Sequence, residues 1–296
     1  MEAVTAMHPT RAFLRSVEPL RMPTMGTENV APLLYELVRL ARPRRVLELG
    51  MGYTTPFIAL ALDQLVGEAR SERDELAAKT APYLDGSRTL DAGWLARPPA
   101  LAAPAFYEDP YVPTFVAADH LRGAGSSAPR VRQALQDLDL AGRVTILQAE
   151  MDDLPSLLPA GTRPFDFAWV DAWECLAFFE TFWDDVAPDG GIVLMHYLLT
   201  YPEGAAVLDS IRALQRTCPA GMEIVSLLEP HKLSQNSLTL IRKTTAYTDP
   251  VYASGREIDC GGIATRQARR FLERYRGRET REPGTGGVSG AGHVDR

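Results

Sequence analysis

Apolar and polar positions along the chain change their period several times, and those changes predict its elements. Residues 26–42 carry Val30, Leu33, Leu34, Leu37, Val38 and Leu40 at close to helical spacing, with Thr27 and Asn29 as candidate caps and Pro43 as the stop. Val46-Leu47-Glu48-Leu49-Gly50 reads as a buried strand with its exit turn, and residues 55–65 read as a second helix. Farther on, strands are predicted over 114–118, 143–147, 165–170 and 192–195. Helices over 129–140, 152–158 and 177–186 separate them, and one over 203–216 follows. Two last strands, 223–228 and 237–242, have no helix between them, which suggests one antiparallel strand. Seven strands alternating with helices predict an α/β fold, a doubly wound and mostly parallel sheet.

Residues 66–112 break this alternation. Glu68, Arg70, Glu72, Arg73, Asp74 and Glu75 come first, then a Pro- and Ala-rich stretch with Tyr83, Trp94, Leu95, Phe106, Tyr107 and Tyr111. A plain crossover needs far fewer residues, so this reads as a lid-like insertion with some helix of its own, lying over the sheet edge. Residues 263–276 (IATRQARRFLERYR) predict a basic helix that could pack on its own sheet or on a second subunit, which leaves a homodimer open. The expected organisation is an N-terminal segment (1–25) contributing to the lid, a main domain (26–243) carrying the insertion, an extension with a helix (244–276) and a disordered tail (277–296).

Charge and composition narrow the function classes. With 31 Lys+Arg against 38 Asp+Glu, the 296-residue chain has a formal net charge of −7, which disfavours nucleic acid as a partner. Cys175, Cys218 and Cys260 are too widely spaced for a disulfide framework or a zinc site. The first 20 residues hold no apolar leader, and the longest apolar run, 57–62, is far too short to cross a bilayer. These features suggest a reduced, cytoplasmic protein with no membrane role and a small molecule as its substrate.

In a sheet of this kind, ligands bind beyond the carboxyl ends of the strands. Gly50-Met51-Gly52-Tyr53-Thr54-Thr55 follows the first strand, and its glycines allow a tight turn and close approach to a ligand. Asp119 ends the second strand, suited to a ribose diol. Ala149-Glu150-Met151 follows the third, offering a carboxylate and a soft apolar surface for an adenine edge and face. Asp171 and then Trp173 follow the fourth. Taken singly, each has a structural reading as well: a strand-end Asp as a helix cap, Met151 as core.

Together, E-L-G-x-G at 48–52, Asp119, A-E-M at 149–151, F-D-F-A-W-V-D-A at 165–172 and A-P-D-G-G-I-V-L at 187–194 resemble class I S-adenosylmethionine-dependent methyltransferases. The resemblance spans residues 24–243 and is strongest to the caffeoyl-CoA type of small-molecule O-methyltransferase. It implies a Rossmann-like fold with S-adenosylmethionine as cofactor. It places Glu48, Gly50 and Gly52 at the methionine end of that cofactor, Asp119 at the ribose, Glu150 and Met151 at the adenine, and Asp171 between cofactor and acceptor. Pro23-Thr24-Met25-Gly26 is similar to the segment that closes over the cofactor in that family, which adds Met25 to the binding set. A dinucleotide fold fits less well, because Thr55 stands at the third glycine position and bulky Tyr53 crowds the turn.

The chain departs from the family at one point. Metal-dependent members place Asp-Asn after the fifth strand, where this sequence has His196-Tyr197. Imidazole and phenol do not make a magnesium site, so a metal-independent reaction is expected, with a transition metal on His196 and Asp171 as the alternative. His196 becomes the candidate general base, with Asp171 orienting it and Tyr197 binding substrate or shielding the sulfonium. A buried strand-end histidine and a structural tyrosine remain as alternatives. Phe178, Phe179, Trp183 and Trp173 could line an aromatic pocket, although the first three sit at core-like helical spacing. His120 would lie near the ribose and His231 near the substrate edge; His8 and His293 carry no expected role. The expected reaction is methyl transfer to an O or N atom of a small molecule. The alternative attacks the aminobutyrate carbon and releases methylthioadenosine, as azetidine-2-carboxylate synthases do.

Overall fold

The computed structural model describes residues 8–84, 90–119, 126–171, 175–219, 221–246 and 263–279, and they fall into two units. The first comprises residues 1–67 and 112–250 and is built on a seven-stranded sheet. Its strands are β1 (Arg45–Leu49), β2 (Thr114–Asp119), β3 (Thr145–Gln148), β4 (Phe167–Val170), β5 (Ile192–His196), β6 (Met222–Leu228) and β7 (Ser237–Lys243). They lie in the order β3-β2-β1-β4-β5-β7-β6. All neighbours pair parallel except β7, which runs antiparallel to both β5 and β6. The α/β class and the single antiparallel strand are as the pattern predicts.

The helices are α1 (Arg11–Val17), α2 (Val30–Ala41), α3 (Thr55–Leu84), α4 (Ala92–Ala96), α5 (Ala128–Asp137), α6 (Leu154–Leu157), α7 (Cys175–Phe182), α8 (Pro202–Thr217) and α9 (Ile263–Glu279). Alternation along the strands sends Leu47, Leu49, Val116, Ala118, Ala168, Val170, Val193 and Met195 to one face, where Phe178 and Phe182 of α7 and Val207, Leu208 and Ile211 of α8 cover them. Val46, Glu48, Phe115, Ala117, Phe167, Trp169 and Leu194 turn to the other face and are buried too, so both faces are covered. Helices α1, α2 and α3 are tied together by Phe13 edge-on to Phe57 (5.0 Å) and by the Tyr35 hydroxyl donating to Gln64 (2.5 Å). Among the described residues no helix is long and apolar enough to cross a membrane.

Chain order runs outward from β1 to β3 on one side and from β4 to β6/β7 on the other, so the order reverses between β1 and β4. That reversal opens the crevice where ligands bind in such sheets. At the opposite end of these two strands, Asp166 accepts the Arg44 and Arg45 amides (3.0 and 2.9 Å) and pairs with the Arg45 guanidinium through both oxygens (3.2 and 2.8 Å). This fork fixes the start of β1 against that of β4.

The second unit joins residues 68–111 to residues 251–296. The helix expected over 55–65 continues instead to Leu84, so the helix expected within the insertion is one piece with it. Ala, Glu and Arg are good helix formers, and Leu76, Ala77, Thr80 and Tyr83 give that stretch a buried face. Helix α9 extends three residues past its expected end, into the stretch expected to be disordered. Its Ala268, Phe271 and Leu272 form one core with Leu76, Tyr83, Trp94 and Tyr107. Arg270 and Arg274 pair with the buried Glu108, and Arg274 and Arg278 with Asp109. Phe271 is fully buried there. Phe271→Ala is expected to cost this unit about 3–5 kcal/mol, seen as faster amide exchange in residues 72–83 than in the wild type.

Candidate functional site

Four strand ends meet at the crevice. Between β1 and α3 the chain turns at Gly50, whose φ of +90° lies in the left-handed region. A Cβ placed there would lie 2.3 Å from the Asp171 carbonyl oxygen, so only glycine allows β1 and β4 to exit this close together. Two backbone bonds seal the approach: Gly50 N–H donates to Ala118 O (2.9 Å), and Asp171 N–H to Leu49 O (2.8 Å). Gly52 differs, since the place a Cβ would take has no heavy atom within 4 Å. Its amide donates to the Thr55 hydroxyl at the start of α3 (3.1 Å).

Glu48 is fully buried beside Trp169 in the β1–β4 register. One carboxyl oxygen accepts the Thr54 hydroxyl (2.7 Å); the other is buried with no hydrogen-bond partner. Burial, with help from the charges of Asp171 and Asp119 and against the Thr54 and Thr55 hydroxyls, pushes its pKa up from 4.5 to about 8. Asp119 ends β2, half-buried, and accepts the Ser126 hydroxyl (3.3 Å). Glu150 is half-buried after β3, where its carbonyl accepts the Asp153 and Leu154 amides. Met151 belongs to the core beside Leu49 and Ala118 and is only 8% exposed.

His196 ends β5 with no exposed surface. Its Nδ1 lies 3.0 Å from Asp171 Oδ1. An ionised carboxylate only accepts, so Nδ1 carries the proton and Nε2 presents its lone pair. Nε2 is buried and has no hydrogen-bond partner. The ring lies between two aromatic neighbours, stacked on Tyr197 (centroids 3.9 Å apart, planes 28° apart) and tilted against Trp169 (5.7 Å). Tyr197 takes φ +70°, a left-handed conformation that costs a non-glycine residue on the order of 1–2 kcal/mol. Burial, and then the nearby Asp171 carboxylate, push its phenol well above the usual tyrosine range, so it stays protonated.

Met25 ends a 3₁₀ turn, Pro23–Met25, and is 38% exposed. The turn meets the β6–β7 loop, where Lys232 donates to Gly26 O (3.2 Å), Glu28 (2.7 Å) and Glu229 (2.8 Å). Sequence reasoning missed Glu28, Lys232 and Gln235 because their contacts join segments far apart in the chain. His231, expected near a substrate, is two-thirds exposed and lies 3.6 Å from Glu229. Phe178 is a core residue and Phe179 and Trp183 pack, partly buried, against the same core, as their spacing suggested. His8 is exposed at 3.3 Å from Glu36. His120, Trp173, Cys260 and His293 lie outside the described residues. Among the described residues no group of three His, Cys, Asp or Glu side chains could hold a metal ion.

No family model matches the chain, and no curated protein matches it in sequence. Solved structures do resemble it. A Klebsiella pneumoniae protein provisionally assigned as an O-methyltransferase shares 17% identity at a TM-score of 0.50, over 81% of this chain and 92% of its own. The O-methyltransferase TomG of Streptomyces achromogenes, involved in tomaymycin synthesis and solved with SAM, shares 18% identity at a TM-score of 0.48, over 79% and 90%. A Bacillus cereus O-methyltransferase solved with SAH shares 17% at 0.47, over 80% and 93%. At such identities the likeness is one of fold: the chain has the Rossmann-like seven-stranded architecture.

The raised pKa of Glu48 carries a testable consequence. Between pH 4.5 and about 8 the unfolded carboxyl has released its proton while the folded one keeps it. Stability therefore falls as pH rises through that window, by at most about 1.4 kcal/mol per pH unit from this group. Glu48→Gln should remove that slope, so the stability of the variant relative to wild type should rise across the same window in denaturant titrations.

Proposed function

We propose that the chain is an S-adenosylmethionine-dependent methyltransferase that acts on an oxygen or nitrogen atom of a small molecule without a catalytic metal. One observation carries the reading: the His196–Asp171 pair stands at the β5 and β4 ends, where metal-dependent relatives of the resembled family have oxygen ligands. Three further features fit the cofactor. The side-chain position of Gly52 is open, one Glu48 oxygen is buried without a partner, and Glu48, Asp119, Glu150 and Asp171 all lie at strand ends. That set suits a cationic nucleoside with hydroxyl and ammonium donors and no phosphate.

When bound, the cofactor supplies a methyl group already activated on a sulfonium. The residues of this chain hold and orient it. Glu48, Gly50 and Gly52 take the methionine end, Asp119 the ribose hydroxyls, and Glu150 and Met151 the adenine, with Met25 closing from the N-terminal side. Met151 offers only an edge, since the rest of its side chain is core. His196 Nε2 accepts the proton of the acceptor as its heteroatom becomes nucleophilic. Asp171 holds the Nδ1–H and stabilises the imidazolium that forms. Full burial keeps this base from bulk water, and Tyr197 and Trp169 flank its ring. The net charge of −7 supports a small molecule rather than nucleic acid as the partner.

Purified protein incubated with S-adenosylmethionine should form adenosylhomocysteine only when an acceptor is added, at a rate unchanged by a chelator. Methylthioadenosine formed above background without an acceptor would overturn methyl transfer. His196→Ala should lower turnover by about a hundredfold with cofactor affinity nearly unchanged, whereas Asp119→Ala should weaken cofactor binding.

A further inference from the structure

The β6–β7 loop and the segment before α2 form a clasp whose centre is one ammonium group. Lys232 has three N–H donors, and all three have acceptors: the Gly26 carbonyl (3.2 Å), Glu28 Oε1 (2.7 Å) and Glu229 Oε1 (2.8 Å). Its side chain is only 14% exposed, and those of Glu28 and Glu229 are 25% and 20% exposed. Asn29 donates its amide to the other oxygen of Glu229. Burial alone would lower the lysine pKa, but hydrogen bonds to Glu229 and Glu28, and their charges, hold it above the ordinary value. The backbones meet as well. Gly26 sits at φ +68°, and a Cβ there would lie 2.4 Å from Gln235 O. Gln235 itself is left-handed (φ +53°).

The same loop reaches the His196–Asp171 pair. The Gln235 amide donates to the Tyr201 hydroxyl (2.5 Å), Tyr201 packs edge-on to Tyr197 (6.1 Å), and Tyr197 stacks on His196 (3.9 Å). Asn236 donates to Lys232 O (3.1 Å) and accepts from Thr200, so the loop is also pinned to the turn after β5. An unbroken line of contacts therefore runs from Gly26 to the imidazole. A contiguous network of this kind can couple two places only if both bias one element, and here the loop 229–236 is that element.

We propose that Lys232 is a positioning residue: it clasps residues 23–29 onto the β6–β7 loop, so that closure over the cofactor and the placement of Tyr197 against His196 occur together. This rests on the cofactor reading above. Charge-assisted bonds to two carboxylates make Lys232 the strongest tie in the clasp, and Gln235 carries its effect toward Tyr201. Neither residue touches the reacting atoms.

Two measurements on the full chain separate the clasp from the cofactor reading. In the ligand-free protein, Lys232→Met should speed amide exchange about tenfold or more in residues 24–29 and 229–236, with β1, β4 and β5 unchanged, and Lys232→Arg should restore most of the protection. Unchanged exchange in residues 24–29 would falsify the clasp whether or not the protein binds a nucleoside. With adenosylhomocysteine as probe, Lys232→Met should dissociate about tenfold faster than wild type, and Gln235→Ala should lower kcat more than it raises KM. A Lys232→Met protein with wild-type dissociation and turnover would overturn the positioning role. If wild type binds neither adenosylmethionine nor adenosylhomocysteine, the cofactor reading falls and the positioning role with it, while the exchange result still decides the clasp alone.

Discussion

The site depends on one close approach of two backbones. Gly50 and Asp171 leave neighbouring parallel strands so near each other that a single added carbon would collide with a carbonyl oxygen. That contact fixes where the Asp171 carboxylate stands. Asp171 in turn decides which imidazole nitrogen of His196 is protonated and which way the ring faces. Tyr197 then takes a left-handed backbone and lies flat on that ring. The strain at Tyr197 is held by packing, because the phenol is buried between His196 and Tyr201.

The electrostatics follow from the same geometry. Glu48, Asp171 and Asp119 sit at adjacent strand ends, and their mutual repulsion would be costly if all were ionised without a cation nearby. The fold relieves this by burying Glu48 so completely that it keeps its proton at neutral pH. A positively charged ligand entering the crevice meets two fixed carboxylates and one reserve acid.

Much of the sheet was readable from the sequence because each strand end carries its own punctuation. Gly50, Asp119, Asp171 and His196 each follow a short apolar run, and parallel pairing brings such ends to one edge without further information. Long-range contacts were harder to read. Nothing local to Glu28 marks it as the partner of Lys232, and the charged run from Glu68 to Glu75 hides a helix whose buried face repeats only every third or fourth residue. Met151 shows the limit of residue type as a guide. The same soft side chain suits a base or a core, and here most of it is core.

The second unit has a consequence for how the chain is made. Leu76, Tyr83, Trp94 and Tyr107 are translated long before Ala268, Phe271 and Leu272, which complete their core. During synthesis these aromatic side chains therefore wait without their final cover. Such a half-built core is a surface for chaperones to hold and for aggregation to exploit. The acidic residues Glu108 and Asp109, waiting for arginines that arrive last, keep that surface charged in the interval. In this reading Glu108 and Asp109 serve the nascent chain before their ion pairs with α9 serve the finished protein.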